Sequence, residues 1–242
     1  MRELQVLAGD PPELVVLDEE EPCTYLPDRT ARQPLRMPLR ALTGEELDQR
    51  LDDGDRRYGR FLYRQRCPAC RACEALRVDV PAFRPSRSQR RVQRKGDARL
   101  SVEVGPVLVD EARVALFNEH ESRRGLRRRP EPLTVEAYER FLVDTCADGV
   151  ELRYHDGDRL VGIAVADRGA TSLSAVYTYY DPDLEPLSPG TYSILAQVEL
   201  CRAWKLRWLY LGLYVGACAE LAYKARYLPH ERRIGGVWTR FT

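Results

Sequence analysis

Lysine is nearly missing from this chain: of 38 basic residues, only Lys95, Lys205 and Lys224 are lysines. Such a bias toward arginine accompanies GC-rich coding and suggests a bacterial source. The 38 basic and 37 acidic residues almost cancel, so whole-chain charge neither demands nor forbids a nucleic-acid partner. No stretch approaches the roughly 20 apolar residues of a membrane span. Met1 to Glu13 holds no apolar segment of signal-peptide length. Seven cysteines, an odd count without a leader, argue against a disulfide framework. The expected setting is the cytoplasm, with reduced thiols and no membrane. Gly-x-Gly-x-x-Gly, the phosphate-loop lysine motif and Gly-x-Ser-x-Gly are all absent. Histidines occur only at 120, 155 and 230, without the spacing of a metal pair, so a histidine-based triad is not expected.

What is present begins with Tyr63-Arg-Gln-Arg-Cys-Pro-Ala-Cys-Arg-Ala-Cys73, which sets Cys67, Cys70 and Cys73 at a repeated spacing. Thiolates so spaced can converge on Zn(II) or an iron–sulfur cluster, and Cys23 is the candidate fourth ligand. A redox pair, or small thiols packed in a core turn, are the other readings of the same run.

Prolines at 11, 12, 22, 27, 34 and 38 make residues 1–40 extended and loop-like. Thr43-Gly-Glu-Glu46 is a capping box for a short helix that Gly54 stops. Leu76–Val80 alternates like a strand. Ser86 with Gln89 caps a helix ending at Gly96, and Arg84, Arg87, Arg90, Arg91, Arg94 and Lys95 make that segment either a solvated face of an arginine-rich protein or a phosphate-contacting surface. A second basic run spans Arg123–Arg129, after a helix at Glu111–Glu121. One helix is expected over Thr134–Leu142, three meander strands at Val150–His155, Leu160–Ala166 and Ser172–Tyr180, and a helix after Ser188-Pro-Gly-Thr191. A strand at Trp208–Leu213, a helix at Ala217–Arg226 and a last strand at Arg232–Trp238 complete the order. The pattern is α/β (α+β): a mixed, mostly antiparallel sheet flanked by helices, similar to the N-acetyltransferase-like fold. A Cys-containing N-terminal lobe is expected over 1–100 and the acyl-transfer domain over 101–242.

The densest polar group is Tyr177-Thr-Tyr-Tyr-Asp-Pro182, facing the start of the Gly190-Thr-Tyr192 helix. A helix N-terminus offers free N–H groups and a positive dipole end, and Asp181 beside it could take or orient an amine proton. The glycine-rich diphosphate loop of a coenzyme A user is absent there, which counts against an acetyl-CoA enzyme.

Cys23–Ala31, Tyr63–Cys73, Phe83–Arg91, Ser174–Pro182, Gly190–Leu195 and Tyr223–Pro229 together resemble the bacterial aminoacyl-tRNA–protein transferases, leucyl and arginyl. The resemblance implies transfer of leucine or arginine from charged tRNA to a protein's N-terminal Asp or Glu, creating a degradation signal. Leucyl is favoured because the motifs are of bacterial style. The ester donor is already activated, so transfer requires no cofactor, and the cysteine site would be structural or regulatory. Asp181 is then the expected base, with Tyr179 and Tyr192 as candidate oxyanion donors. Arg29, Lys224 and Arg226 are expected to receive the acidic side chain, and the basic runs to grip tRNA. The alternatives are an N-acetyltransferase-fold enzyme with another acyl donor and an RNA-binding module with a structural metal site.

Overall fold

A computed structural model describes residues 5–127 and 129–242, so Arg128 of the second basic run lies outside the described residues. The proline-punctuated start forms short strands instead of helices. These are β1 (Val6–Leu7), β2 (Glu13–Leu17), the hairpin β3 (Glu20–Pro22) and β4 (Thr30–Arg32), and β5 (Leu35–Pro38). Both capping boxes form as expected. Thr43 and Glu46 exchange side chain-to-backbone bonds to open α1 (Gly44–Asp52), which stops before Gly54. Next, β6 (Arg56–Tyr58) and β7 (Phe61–Tyr63) turn at Gly59. There φ is +55° and a Cβ would sit 2.5 Å from the Arg140 carbonyl. These strands make a five-stranded sheet in the order β1-β2-β5-β7-β6.

The next strand, β8 (Glu74–Asp79), belongs elsewhere. With α2 (Arg87–Asp97), β9 (Leu100–Pro106), α3 (Glu111–Arg123), α4 (Val135–Tyr138), β10 (Asp148–Asp156), β11 (Arg159–Arg168), β12 (Ser172–Tyr180), α5 (Pro189–Ala203), β13 (Trp208–Tyr214), α6 (Ala219–Ala222), β14 (His230–Ile234) and β15 (Val237–Phe241) it builds the large unit. The eight-stranded sheet runs β15-β14-β8-β13-β12-β11-β10-β9 and is antiparallel except where β12 meets β13. The small sheet therefore ends at β7, and the large one begins at β8, ahead of the division expected at residue 100.

Three local expectations need correction. The single strand expected at Arg232–Trp238 is a hairpin, because Gly235 and Gly236 take φ of +57° and +93° and reverse the chain. The helix expected over Ala217–Arg226 is only α6 and a 3₁₀ turn at Tyr223–Arg226. The helix expected over Thr134–Leu142 passes after Tyr138 into a π turn at Glu139–Val143. No helix among the described residues is long and apolar enough to cross a membrane.

Both faces of the large sheet are covered. On one, Leu76, Val78, Leu173 and Leu209 pack on Ile194, Leu195 and Val198 of α5. On the other, Ile163, Val165 and Tyr179 pack on Val114, Leu116 and Phe117 of α3. Residues 163 and 165 of β11 face α3 while Ala164 and Ala166 face the α5 side, as strand alternation requires. The N-terminal unit is held on by an apolar cluster, in which Leu47, Leu51 and Leu62 pack with Cys146 and Tyr210, and by polar contacts. Arg57 pairs with Asp167 at 2.7 Å, and Asp48 of α1 accepts from Thr171 N–H and from the Thr171 and Ser172 hydroxyls.

Helix α2 lies against α5 at Gly96, where a Cβ would overlap the Tyr192 ring. An alanine in an exposed helix interior normally gains about 0.5–1 kcal/mol over glycine. Here the clash should win. Gly96→Ala is expected to lose about 1–3 kcal/mol, as overpacked cores do. Urea unfolding measures this, and a more stable variant would contradict the packing.

Candidate functional site

The parallel pair at the centre of the large sheet is short. β12 and β13 pair only through Ser172–Trp208, Leu173–Leu209 and Ser174–Tyr210. Register shifts at Val165/Ala166 and Tyr210/Gly212 turn the two strands apart beyond that point. Arg56 of β6 enters the gap. Its guanidinium donates to the Ala175 carbonyl at 2.7 Å and the Ser174 hydroxyl at 3.1 Å. It lies over Gly212, where a Cβ would sit 3.0–3.4 Å from it and φ is +81°. One carbonyl that the parted strands would otherwise leave unpaired is thus satisfied.

A cavity of about 580 Å³ opens in this wedge. Ala175–Thr178 and Tyr180 of β12 and Leu211–Leu213 of β13 form its walls, and Gly190, Ile194 and Gln197 of α5 its floor. His120 and Arg124 approach from α3, and Tyr25, Arg56 and Tyr63 from the N-terminal region. No side chain caps the start of α5, where Pro189 is the first helical residue, so donors of its first turn remain for a ligand. Gln197 is 1% exposed, and its Oε1 has no partner.

The charges of the cavity have clear causes. Lys224 donates from Nζ to the Leu213 carbonyl at 2.8 Å. Burial, then the positive Arg56 nearby, pulls its ammonium down to about 7, with Cys218, as a thiolate, acting the other way. His120 is held down to about 4 by burial and then by Arg124, so it is uncharged at neutral pH. Its Nδ1 stands 2.8 Å from the Tyr180 carbonyl. Arg124 bonds the Tyr180 hydroxyl, with its guanidinium carbon 5.3 Å from the Tyr180 ring centroid.

Of the residues singled out from sequence, Lys224 alone among the proposed catalytic and acceptor-binding set lines this cavity. Asp181 is off it, 4% exposed, accepting from Arg159 at 2.7 Å and from the Asp183 N–H at 2.9 Å as the cap of a 3₁₀ turn. Tyr179 points to the α3-side core, its hydroxyl 2.6 Å from that of Tyr138, while its neighbours Thr178 and Tyr180 line the cavity. Tyr192 donates to Asp97 at 3.0 Å and fastens α5 to α2. Arg29 is exposed on the β3–β4 hairpin, and Arg226 follows the cavity wall without lining it. From sequence Arg56 and Gln197 are not singled out, His120 is only one of three scattered histidines, and Arg124 belongs to the second basic run expected to grip tRNA. Gln197 carried a signal: with Ser193 it is a polar i,i+4 pair on an otherwise apolar helix face. Arg56 carried none, being one arginine among many.

Arg87, Arg90, Arg91, Arg94 and Lys95 fall at i, i+3, i+4, i+7 and i+8 of α2, so they share one exposed face. Arg84 precedes them and is also exposed. None of the six makes an ion pair with a described residue. Gln89 and Gly96 occupy the buried face.

The cysteines gather beside the wedge, at a cavity that shares Leu213 with it. Cys67, Cys70 and Cys73 border a second cavity of about 350 Å³ with Arg64, Arg71 and Arg233. Burial, then Cys67, Cys23, Cys70 and Cys218, pushes the Cys73 thiol up to about 12. Four thiols suit Zn(II) or an iron–sulfur cluster chemically. In the arrangement described, though, no three His, Cys, Asp or Glu side chains converge as a ligand set. The thiols are neighbours but do not form a closed site.

A mixed sheet with a parted parallel pair, an open helix N-terminus and a cationic wedge defines an acyl-transferase-like domain. The fold is shared with L-PGS from Bacillus licheniformis, at a TM-score of 0.50 and 12% identity over 70% of this chain and 58% of that one. Family models described as arginine-tRNA-protein transferase match residues 21–91 (N terminus) and 112–234 (C terminus). The aspartate/glutamate leucyltransferase of Thiobacillus denitrificans is 35% identical over 216 residues, 89% of this chain and 90% of the relative. That of Chromobacterium violaceum is 35% identical over 217 residues, 90% and 89%. The chain belongs to the arginine-tRNA–protein transferase family and is an aminoacyltransferase.

Proposed function

We propose that the chain moves leucine, or as second choice arginine, from charged tRNA to the N-terminal Asp or Glu of a protein, marking it for degradation. The observation that carries this reading is the wedge cavity at the start of α5, in a chain whose relatives over nine-tenths of its length are named leucyltransferases. Leu126, Ile194, Leu211, Leu213 and Leu221 give that cavity apolar wall, which suits a leucyl side chain better than an arginyl one. The acceptor amine attacks the ester carbonyl, and first-turn N–H groups of α5 would hold the resulting oxyanion. Each such donor is typically worth about 2.7–4 kcal/mol. Arg124, at the cavity wall, is better placed than Arg29 or Arg226 to receive the acidic side chain. The α2 stripe, with Arg84, would hold the tRNA backbone. Transfer needs no cofactor, and a metal or cluster at Cys23, Cys67, Cys70 and Cys73 would fasten the β3–β4 hairpin to the segment before β8.

The test is incorporation of labelled leucine or arginine from charged tRNA into peptides that begin with Asp or Glu. Leucine incorporation is expected. Arginine alone would reassign the donor, and tight tRNA binding without transfer would leave an RNA-binding module.

A further inference from the structure

The wedge holds a lysine whose surroundings are not those of an acid-binding cation. Lys224 reaches into the cavity from the turn after α6, with its Nζ bonded to the Leu213 carbonyl of the parted strand. The charge that bears on it is Arg56, which disfavours its proton; Cys218 would favour that proton only as a thiolate, and burial holds it as the thiol. The cavity's carboxylate, Glu220, accepts from Cys218 Sγ at 3.2 Å. Of the other ionisable groups there, Arg124 sits on Tyr180, Tyr223 is held up by burial, and His120 is bonded to the Tyr180 backbone. Arg56 cannot swing away, because Ala175, Ser174 and the bare face of Gly212 hold its guanidinium on three sides.

Resting on the functional reading above, we infer that Lys224 accepts the proton shed by the attacking α-amine, and that Arg56 is the positioning residue that fits it for this task. The amine nitrogen bonds to the ester carbonyl carbon and gives one proton to Lys224 Nζ. The carbon–oxygen bond to the ribose then breaks, and the Lys224 ammonium returns that proton to the departing ribose oxygen. The products are an amide and a free hydroxyl, with no oxidant or further reactant.

The choice among bases follows from proton affinity. A base works best when its proton affinity matches the working pH. Lys224, brought to about 7, is part uncharged near neutrality, whereas His120, near 4, is a weak acceptor for an amine proton. Asp181 lies off the cavity and is engaged by Arg159.

Single-turnover transfer of leucine from Leu-tRNA to an Asp-peptide, by the full chain across pH, tests the assignment. The wild-type rate should rise with pH through an apparent pKa near 7, because the uncharged amine is the active form. The peptide's own α-amine titrates near about 8. A second peptide with a less basic amine moves that limb and so identifies it. Arg56→Gln removes a neighbouring positive charge, so the lysine limb should move to higher pH, whereas Arg56→Lys should leave it near the wild-type position. Lys224→Arg, whose guanidinium stays protonated, should lose at least about 100-fold in rate with Leu-tRNA affinity unchanged. A Lys224→Arg rate within about threefold of wild type overturns the assignment, since general-base catalysis is worth about 10²–10⁴. So does a limb unmoved in Arg56→Gln. Should Lys224→Arg fail to fold, the two Arg56 variants decide. A wild-type chain that transfers from neither tRNA overturns the functional reading and this assignment together; wild-type transfer with an unmoved limb in Arg56→Gln overturns the assignment alone.

Discussion

Arg57→Met is expected to destabilise the protein by about 3–5 kcal/mol, the cost of leaving a buried charge without its partner. Arg57 and Asp167 are 2.7 Å apart with side chains 3% and 1% exposed, and they join β6 of the small sheet to β11 of the large one. Asp167 already has one carboxylate oxygen with no hydrogen-bond partner, so the methionine variant would leave it with neither a counter-charge nor a donor on that side. The exposed pair Arg32–Asp18 is as short, at 2.6 Å, but its side chains are 44% and 29% exposed. Its loss should cost under about 1 kcal/mol, because water and side-chain entropy oppose the attraction. Removing both buried charges, in Arg57→Met with Asp167→Leu, should recover much of the loss, since two uncompensated desolvation penalties vanish together. Urea midpoints of the three variants measure this. An Arg57→Met chain within about 1 kcal/mol of wild type would mean that water already reaches the pair.

Neutralising the α2 stripe should have the largest effect on tRNA binding. Every phosphate that the protein ceases to neutralise lowers the slope of log affinity against log salt by about 0.7–0.9. The triple change Arg87→Gln, Arg91→Gln and Arg94→Gln should therefore flatten the slope by about 2–3. Referred to 1 M salt, where this contribution vanishes, such a slope is worth about 10²–10³ in affinity at 0.1 M. These side chains are exposed and make no ion pair with a described residue, so the fold should survive with its unfolding midpoint nearly unchanged. Filter binding of Leu-tRNA over a salt series gives the slope. An unaltered slope would remove α2 from the tRNA surface and turn attention to Arg123, Arg124, Arg127 and Arg129.

Elements specified by near neighbours were legible before the structure. The two capping boxes and the β10–β12 meander depend on residues three apart or alternating, and they form where expected. The short strands within residues 1–40 are legible only as extended chain, and β6 and β7 carry no signal, because β2 and β5, and β5 and β7, meet across long intervals of sequence. Strand β9 has five exposed positions among its seven residues, so no hydrophobic pattern announced it. The site was legible in place but not in direction. Tyr177, Thr178 and Tyr180 do border the wedge, yet Tyr179 turns to the far face and the turn after β12 claims Asp181. Arg56 could not be foreseen, since what makes it matter is a gap between two strands more than a hundred residues downstream.

Strand β8 has a consequence for how the chain is made. It ends at Asp79, yet its two neighbours in the sheet begin at Trp208 and His230, so both its edges wait for segments synthesised much later. Loop-closure entropy makes such distant pairing slow, and an unpaired strand meanwhile offers its hydrogen bonds to any other chain. A nascent chain halted before β13 would carry β8 unpaired along both of its hydrogen-bonding edges. The wedge, whose last lining residue is Lys224, cannot close until that residue has been synthesised.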